Sequence, residues 1–99
     1  MAKGYWIATI SIRSADGYAE YQAAVRKALD KYGGRYLIRG GKAEIREGRP
    51  RPRVVVMEFD DYATAVACYE SPEFTAAKAM RQQLADTDFI IVEGWDGQW

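Results

Sequence analysis

The sequence predicts a single α+β domain of ferredoxin-like βαββαβ topology, with four antiparallel strands and two helices on one face of the sheet. Three observations lead there. Strand-like stretches of β-branched and aromatic residues alternate with stretches in which apolar residues recur every three or four positions, in the order βαββαβ. Glycines and prolines fall between these stretches, where the chain must turn. At 99 residues, 48% of them hydrophobic, the chain has room for one domain, 1–99, and for a core that needs no disulfide or metal.

The elements follow in order. Tyr5 to Arg13 places Trp6, Ala8, Ile10 and Ile12 on one strand face and Tyr5, Ile7, Thr9, Ser11 and Arg13 on the other. Ser14 or Asp16 then offers an oxygen to free backbone amides. Tyr18, Tyr21, Val25, Ala28, Leu29 and Tyr32 trace the apolar stripe of the first helix, which Gly33 and Gly34 end. Arg35 to Gly40 is the second strand, Gly41 a bend or bulge, and Lys42 to Arg46 its continuation. Pro50 and Pro52 keep the next loop out of the sheet. Arg53 to Asp60 is the third strand, with Val55, Met57 and Phe59 on one face. Asp60 or Asp61 caps the second helix, which restarts or kinks at Ser71 and Pro72, a cap residue followed by proline at the first helical position. Asp88 to Gly94 is the last strand, with Phe89, Ile91 and Glu93 opposed to Ile90 and Val92.

Composition removes several functions. The chain has no histidine, so the usual general base, the imidazole haem ligand and most zinc chemistry are absent, and neither a cofactor nor a metal is expected. Cys68 is the only cysteine, set among Val66, Ala67 and Tyr69, and reads as structural. Lys and Arg balance Asp and Glu at 14 each, leaving no overall positive field for nucleic acid. Arg46, Arg49, Arg51 and Arg53 form a local basic loop, but no aromatic side chains interleave with them for base stacking, so no nucleic-acid partner is expected. The opening MAKGYWIATI lacks an apolar signal region and the apolar runs are only strand-sized, so the chain reads as cytoplasmic, with no membrane partner.

A partner of another kind is expected. Two helices cover one face of a four-stranded sheet, yet the strands are apolar on both, as in Trp6 and Ile7, Val54 and Val55, or Ile90 and Ile91. A second copy packed sheet against sheet would cover the other face, which predicts a homodimer. The tail from Trp95 to Trp99 either reaches across that interface or folds back on its own subunit.

Five segments carry a family resemblance: GYWIA at Gly4 to Ala8, KYGGRYLIRGG at Lys31 to Gly41, VVVMEF at Val54 to Phe59, YESPEF at Tyr69 to Phe74 and VEG at Val92 to Gly94. In this order they resemble the family called domain of unknown function 1330, over nearly the whole chain. The resemblance implies the dimeric α+β barrel superfamily and no particular activity. That superfamily holds cofactor-free quinone-forming monooxygenases, lactone isomerases, haem-dependent enzymes and ligand-sensing regulatory domains. The lack of histidine speaks against the haem and isomerase chemistries here.

Polar residues inserted in apolar strands are the candidate site. Arg39 lies between Ile38 and Gly40, Glu58 follows Val54 to Met57, and Glu93 follows Ile90 to Val92. A charge so placed needs a partner, and an arginine–carboxylate pair is the first expectation. As a site, Arg39 would bind an anionic or enolate oxygen and Glu58 or Glu93 would act as base, making Arg39 and Glu58 the catalytic candidates. Tyr21 and Tyr69 would form aromatic walls or donate hydrogen bonds, with Arg81 at the mouth. The function expected is small-molecule binding by a homodimer, extending to cofactor-free catalysis on a small organic or aromatic compound. The alternative is a non-catalytic dimerisation or regulatory module whose cleft is filled by side chains.

Overall fold

The computed structural model describes residues 2–97. Their elements run β1 (Gly4–Ile12), α1 (Tyr18–Tyr32), β2 (Arg35–Arg39), β3 (Arg53–Phe59), α2 (Tyr62–Glu70), α3 (Pro72–Leu84) and β4 (Ala85–Glu93). The strands form one sheet in the order β2-β3-β1-β4 with every neighbouring pair antiparallel. This is the βαββαβ arrangement expected from the sequence, with the second helix divided in two.

The division at Ser71 has a local cause. Ser71 Oγ accepts the Phe74 amide at 3.1 Å and donates to the Cys68 carbonyl at 2.6 Å, so one buried side chain closes α2 and opens α3. Pro72 follows at the start of α3, where its missing N–H costs nothing. Asp61 caps α2 by accepting the Thr64 amide at 2.7 Å. The cap expected for α1 from Ser14 or Asp16 does not form. The helix starts from Gly17 at φ 87° without a side-chain cap, and the Ala15 carbonyl takes the Tyr18 amide instead. Gly33, at φ 71°, ends α1 in the left-handed conformation that only glycine adopts without steric cost.

One face of the sheet holds the core. Trp6 lies at its centre with Phe59, Phe74 and Phe89 at ring-centroid distances of 4.8, 4.6 and 5.3 Å. Its indole N–H donates to the Ala65 carbonyl at 2.8 Å, tying β1 to α2. Gly4 makes the same junction close: a Cβ there would run into the Asp61 carbonyl.

The second strand departs from expectation. Lys42 to Arg46 does not extend β2, and the bulge lies not at Gly41 but between Tyr36 and Ile38, where Leu37 is an extra residue against β3. Gly40 turns the chain away at φ 68°, its amide donating to the Val54 carbonyl at 2.8 Å. The extra residue exchanges the faces of everything after it. Ile38 thereby joins Val56, Ile7 and Ile90 in a row across all four strands on the face without helices. Arg39 moves to the helix side, opposite Val55.

Candidate functional site

Tyr21 of α1 and Arg81 of α3 are the two predicted site residues that the fold brings together. Tyr21 is the second residue of the apolar stripe of α1 and the first of its buried ones, and Arg81 is buried near the end of α3. They line a cleft between sheet and helices with Tyr18, Tyr36, Arg53, Phe74 and Phe89 among its other walls, enclosing about 20 Å³ of free space. That volume suits a single water or one small polar group. Tyr21 and Arg81 are both more than nine-tenths buried, whereas Tyr18, Gln22, Tyr36 and Arg53 are half-buried and form the mouth. Beyond the mouth, Ile10 and Arg53 also border a hollow of about 390 Å³ with Ile12, Gly40 and Pro52.

The electrostatics follow from this placement. Burial pushes the Tyr21 phenol above its ordinary pKa, with the nearby Arg81 guanidinium pulling it partly back. Burial raises Tyr36 in the same way, opposed by Arg39. The Arg81 guanidinium lies 5.8 Å from the Phe74 ring centre and 5.4 Å from that of Phe89. Arg53 sits 5.7 Å from the Tyr18 ring centre. Among the described residues no carboxylate lines the cleft.

The other predicted residues lie elsewhere. Tyr69 stands behind the cleft wall, with ring centres 5.1 Å from Phe74 and 5.0 Å from Phe89, and Lys78 covers it at 4.7 Å. Arg39 is exposed at the sheet edge, 4.6 Å from the Tyr36 ring centre, and borders a separate groove between α1 and β2. Glu93 is exposed at the end of β4. Glu58 is on the face without helices, where Arg35 Nε donates to it at 2.8 Å and the Tyr5 hydroxyl at 3.2 Å. The expected pair of Arg39 with one of these carboxylates is not made among the described residues; the bulge at Leu37 puts Arg39 and Glu58 on opposite faces, and Arg35 is the partner of Glu58. The hydrogen bond from Arg35, more than any other influence, holds the Glu58 carboxyl below its ordinary pKa.

Tyr18, Tyr36 and Arg53 complete the cleft and were absent from the predicted site. Arg53 was within reach of sequence reading, since it shares the period-two face of Val55 and Met57 that the strand pattern already identifies. Cys68 is fully buried and its thiol is pushed up to about 12 by desolvation, which makes it inert at neutral pH. Among the described residues no cluster of possible metal ligands occurs, and no helix is long and apolar enough to cross a membrane.

The sequence profile of the domain of unknown function DUF1330 covers residues 3–95. The chain belongs to the DUF1330 family. Solved structures agree with the fold of this DUF1330 domain. A protein of unknown function from Rhodopseudomonas palustris superposes with a TM-score of 0.75 at 17% identity, over 97% of this chain and 85% of its own. SnoaB, a cofactor-independent oxygenase from Streptomyces nogalater, matches with a TM-score of 0.57 at 9% identity, over 98% and 97% of the two chains. A dimeric ferredoxin-like protein of unknown function from Thermobifida fusca matches with a TM-score of 0.53 at 18% identity, over 93% and 89%. At these identities the likeness establishes the ferredoxin-like fold of the DUF1330 chain and nothing about its chemistry. Among curated proteins, none matches it.

Proposed function

We propose that this protein is a homodimer that binds a small organic or aromatic molecule on the helix side of its sheet, as a cofactor-free enzyme or a carrier of that molecule. The observation that carries the reading is the convergence of Tyr21 and Arg81, from two different helices, on an apolar and aromatic cleft that shares Ile10 and Arg53 with a shallow surface hollow. Apolar concavities with a few polar groups aimed inward are the usual form of a small-molecule site. Tyr69 backs the wall of the site, and Tyr18 and Arg53 stand at its mouth. Any proton transfer there would fall to tyrosine hydroxyls, since Glu58 and Glu93 lie outside the cleft. SnoaB supports the reading as a cofactor-independent oxygenase on the same fold.

The dimer is proposed on the opposite face. Ile38, Val56, Ile7 and Ile90 form an aliphatic row there, with Ile38 and Ile90 about half exposed. Arg35, Glu58, Tyr5 and Val92 flank it on one side and Val54, Thr9 and Asp88 on the other, a rim polar at five of seven positions. An apolar centre with a polar rim suits a protein interface, and the Thermobifida fusca protein of this fold is a dimer. Trp95 is exposed near one end of the sheet; Trp99, the other half of the expected tail contact, lies outside the described residues. The small inner volume favours a second reading, a dimerisation or regulatory module with its cleft closed by side chains.

Native mass spectrometry of freshly purified protein separates these readings. A dimer with a retained small mass supports the proposed function, a clean dimer favours the closed module, and a clean monomer overturns the dimer.

A further inference from the structure

Arg81 is the most deeply buried cation among the described residues, at 5% exposure, and it has no carboxylate partner there. The arginines that do form ion pairs, with Asp86, Asp30, Glu58, Asp60, Glu44 and Asp88, are partly or largely exposed. Among the described residues Arg81 meets the Phe74 and Phe89 ring faces and the Tyr21 phenol, and its Nε–H is buried without an acceptor. The second cation of the cleft, Arg53, also has no ion pair among the described residues, and its Nε–H is buried without an acceptor. Proteins bury a charge at a cost of several kcal/mol unless something compensates it. Arginine keeps its charge when buried, because its guanidinium does not lose a proton in proteins. Two guanidinium groups thus face a cleft lined by no acid, in a chain whose formal net charge is zero.

We propose that this cleft is an anion site in which Arg81, assisted by Arg53, binds the carboxylate of a small organic acid. The proposal rests on the small-molecule reading above and names its ligand class. The free space of about 20 Å³ beside Arg81 accommodates the carboxylate, and the neighbouring shallow hollow of about 390 Å³, which shares Ile10 and Arg53 with the cleft, would take the apolar body. Arginine suits this ligand because its planar fork matches the two carboxylate oxygens. Tyr21 supplies a hydroxyl at the same point. With its phenol raised by burial, that hydroxyl stays protonated and donates to an anion.

The test uses thermal unfolding of the whole chain with matched pairs of probes at equal ionic strength: formate with formamide, acetate with acetamide, and benzoate with benzamide. A ligand that binds only the folded state raises Tm, by roughly 5 °C at several times its Kd for a domain of this size. At least one carboxylate is expected to raise Tm while its amide does not, and Arg81→Met is expected to abolish the response while being no less stable than the parent without ligand. Equal responses to acid and amide overturn the anion site but leave the small-molecule cleft standing. No response to any of the six overturns the anion site and leaves the broader reading to the native-mass experiment. A carboxylate response that persists unchanged in Arg81→Met overturns the assignment to Arg81. The acid-against-amide comparison needs no variant, so it decides even should Arg81→Met fail to fold.

Discussion

Glu58 shows how much one side chain's surroundings set its behaviour. Its carboxylate is held ionised by Arg35 first and by the Tyr5 hydroxyl as well, so its folded pKa lies below the ordinary 4.5. A depressed carboxyl stabilises the fold fully above its unfolded pKa and loses that contribution as pH falls through the folded value. Stability to urea is therefore expected to decline below about pH 4.5, and Glu58→Gln to show a shallower decline than the parent. Equal slopes in the two proteins would remove the role of this ion pair. Cys68 behaves in the opposite sense, its thiol pushed up to about 12 with Sγ against the Ala28 carbonyl at 3.6 Å. Iodoacetamide at pH 8 is expected to leave Cys68 unmodified in the native protein and to label it fully in denaturant, by intact mass. Its structural character was legible from Val66, Ala67 and Tyr69 around it; the partners of Glu58, Arg35 and Tyr5, were not, because they depend on which strands lie beside β3.

Among the elements, the α2–α3 junction is where local sequence speaks most clearly. Ser71 and Pro72 signal a helix start in any context, and the structure uses both: the serine hydroxyl satisfies a free amide of α3 and a free carbonyl of α2. Ser71→Ala is expected to cost roughly 1–2 kcal/mol, read as a lower urea midpoint with an unchanged m-value. A loss below a few tenths of a kcal/mol would mean that packing alone holds the junction. β2 is the contrasting case. Nothing in RYLIRGG marks Leu37 as the extra residue, and either glycine after Arg39 is a better bulge signal by composition. Pairing with β3 selects the position, and with it the faces of Ile38 and Arg39.

For the whole molecule, the two faces of the sheet differ in character. The helix side holds the core and the Tyr21–Arg81 cleft, and the other side presents the row Ile38, Val56, Ile7 and Ile90. Ile90 is 57% exposed in the single chain, so Ile90→Lys leaves the subunit core untouched while placing a charge in the apolar row. The expected result is a monomer by light scattering with an unchanged circular dichroism spectrum. A persistent dimer would move the interface away from this row.

The sequence by itself determined the order of the elements, the inward face of β1 and β3, the helix break at Ser71 and the absence of histidine chemistry. All of these follow from neighbouring residues, through strand and helix periodicity, capping and composition. Only the tertiary structure decided which charges meet. Arg39 and Glu58 are separated because one bulged residue exchanges two faces of β2, and Arg81 is buried because α3 turns it, beside its own Phe74, onto Phe89 of a sheet assembled from distant segments. Charge pairing depends on register and on the packing of elements far apart in the chain, and neither is written in the local pattern.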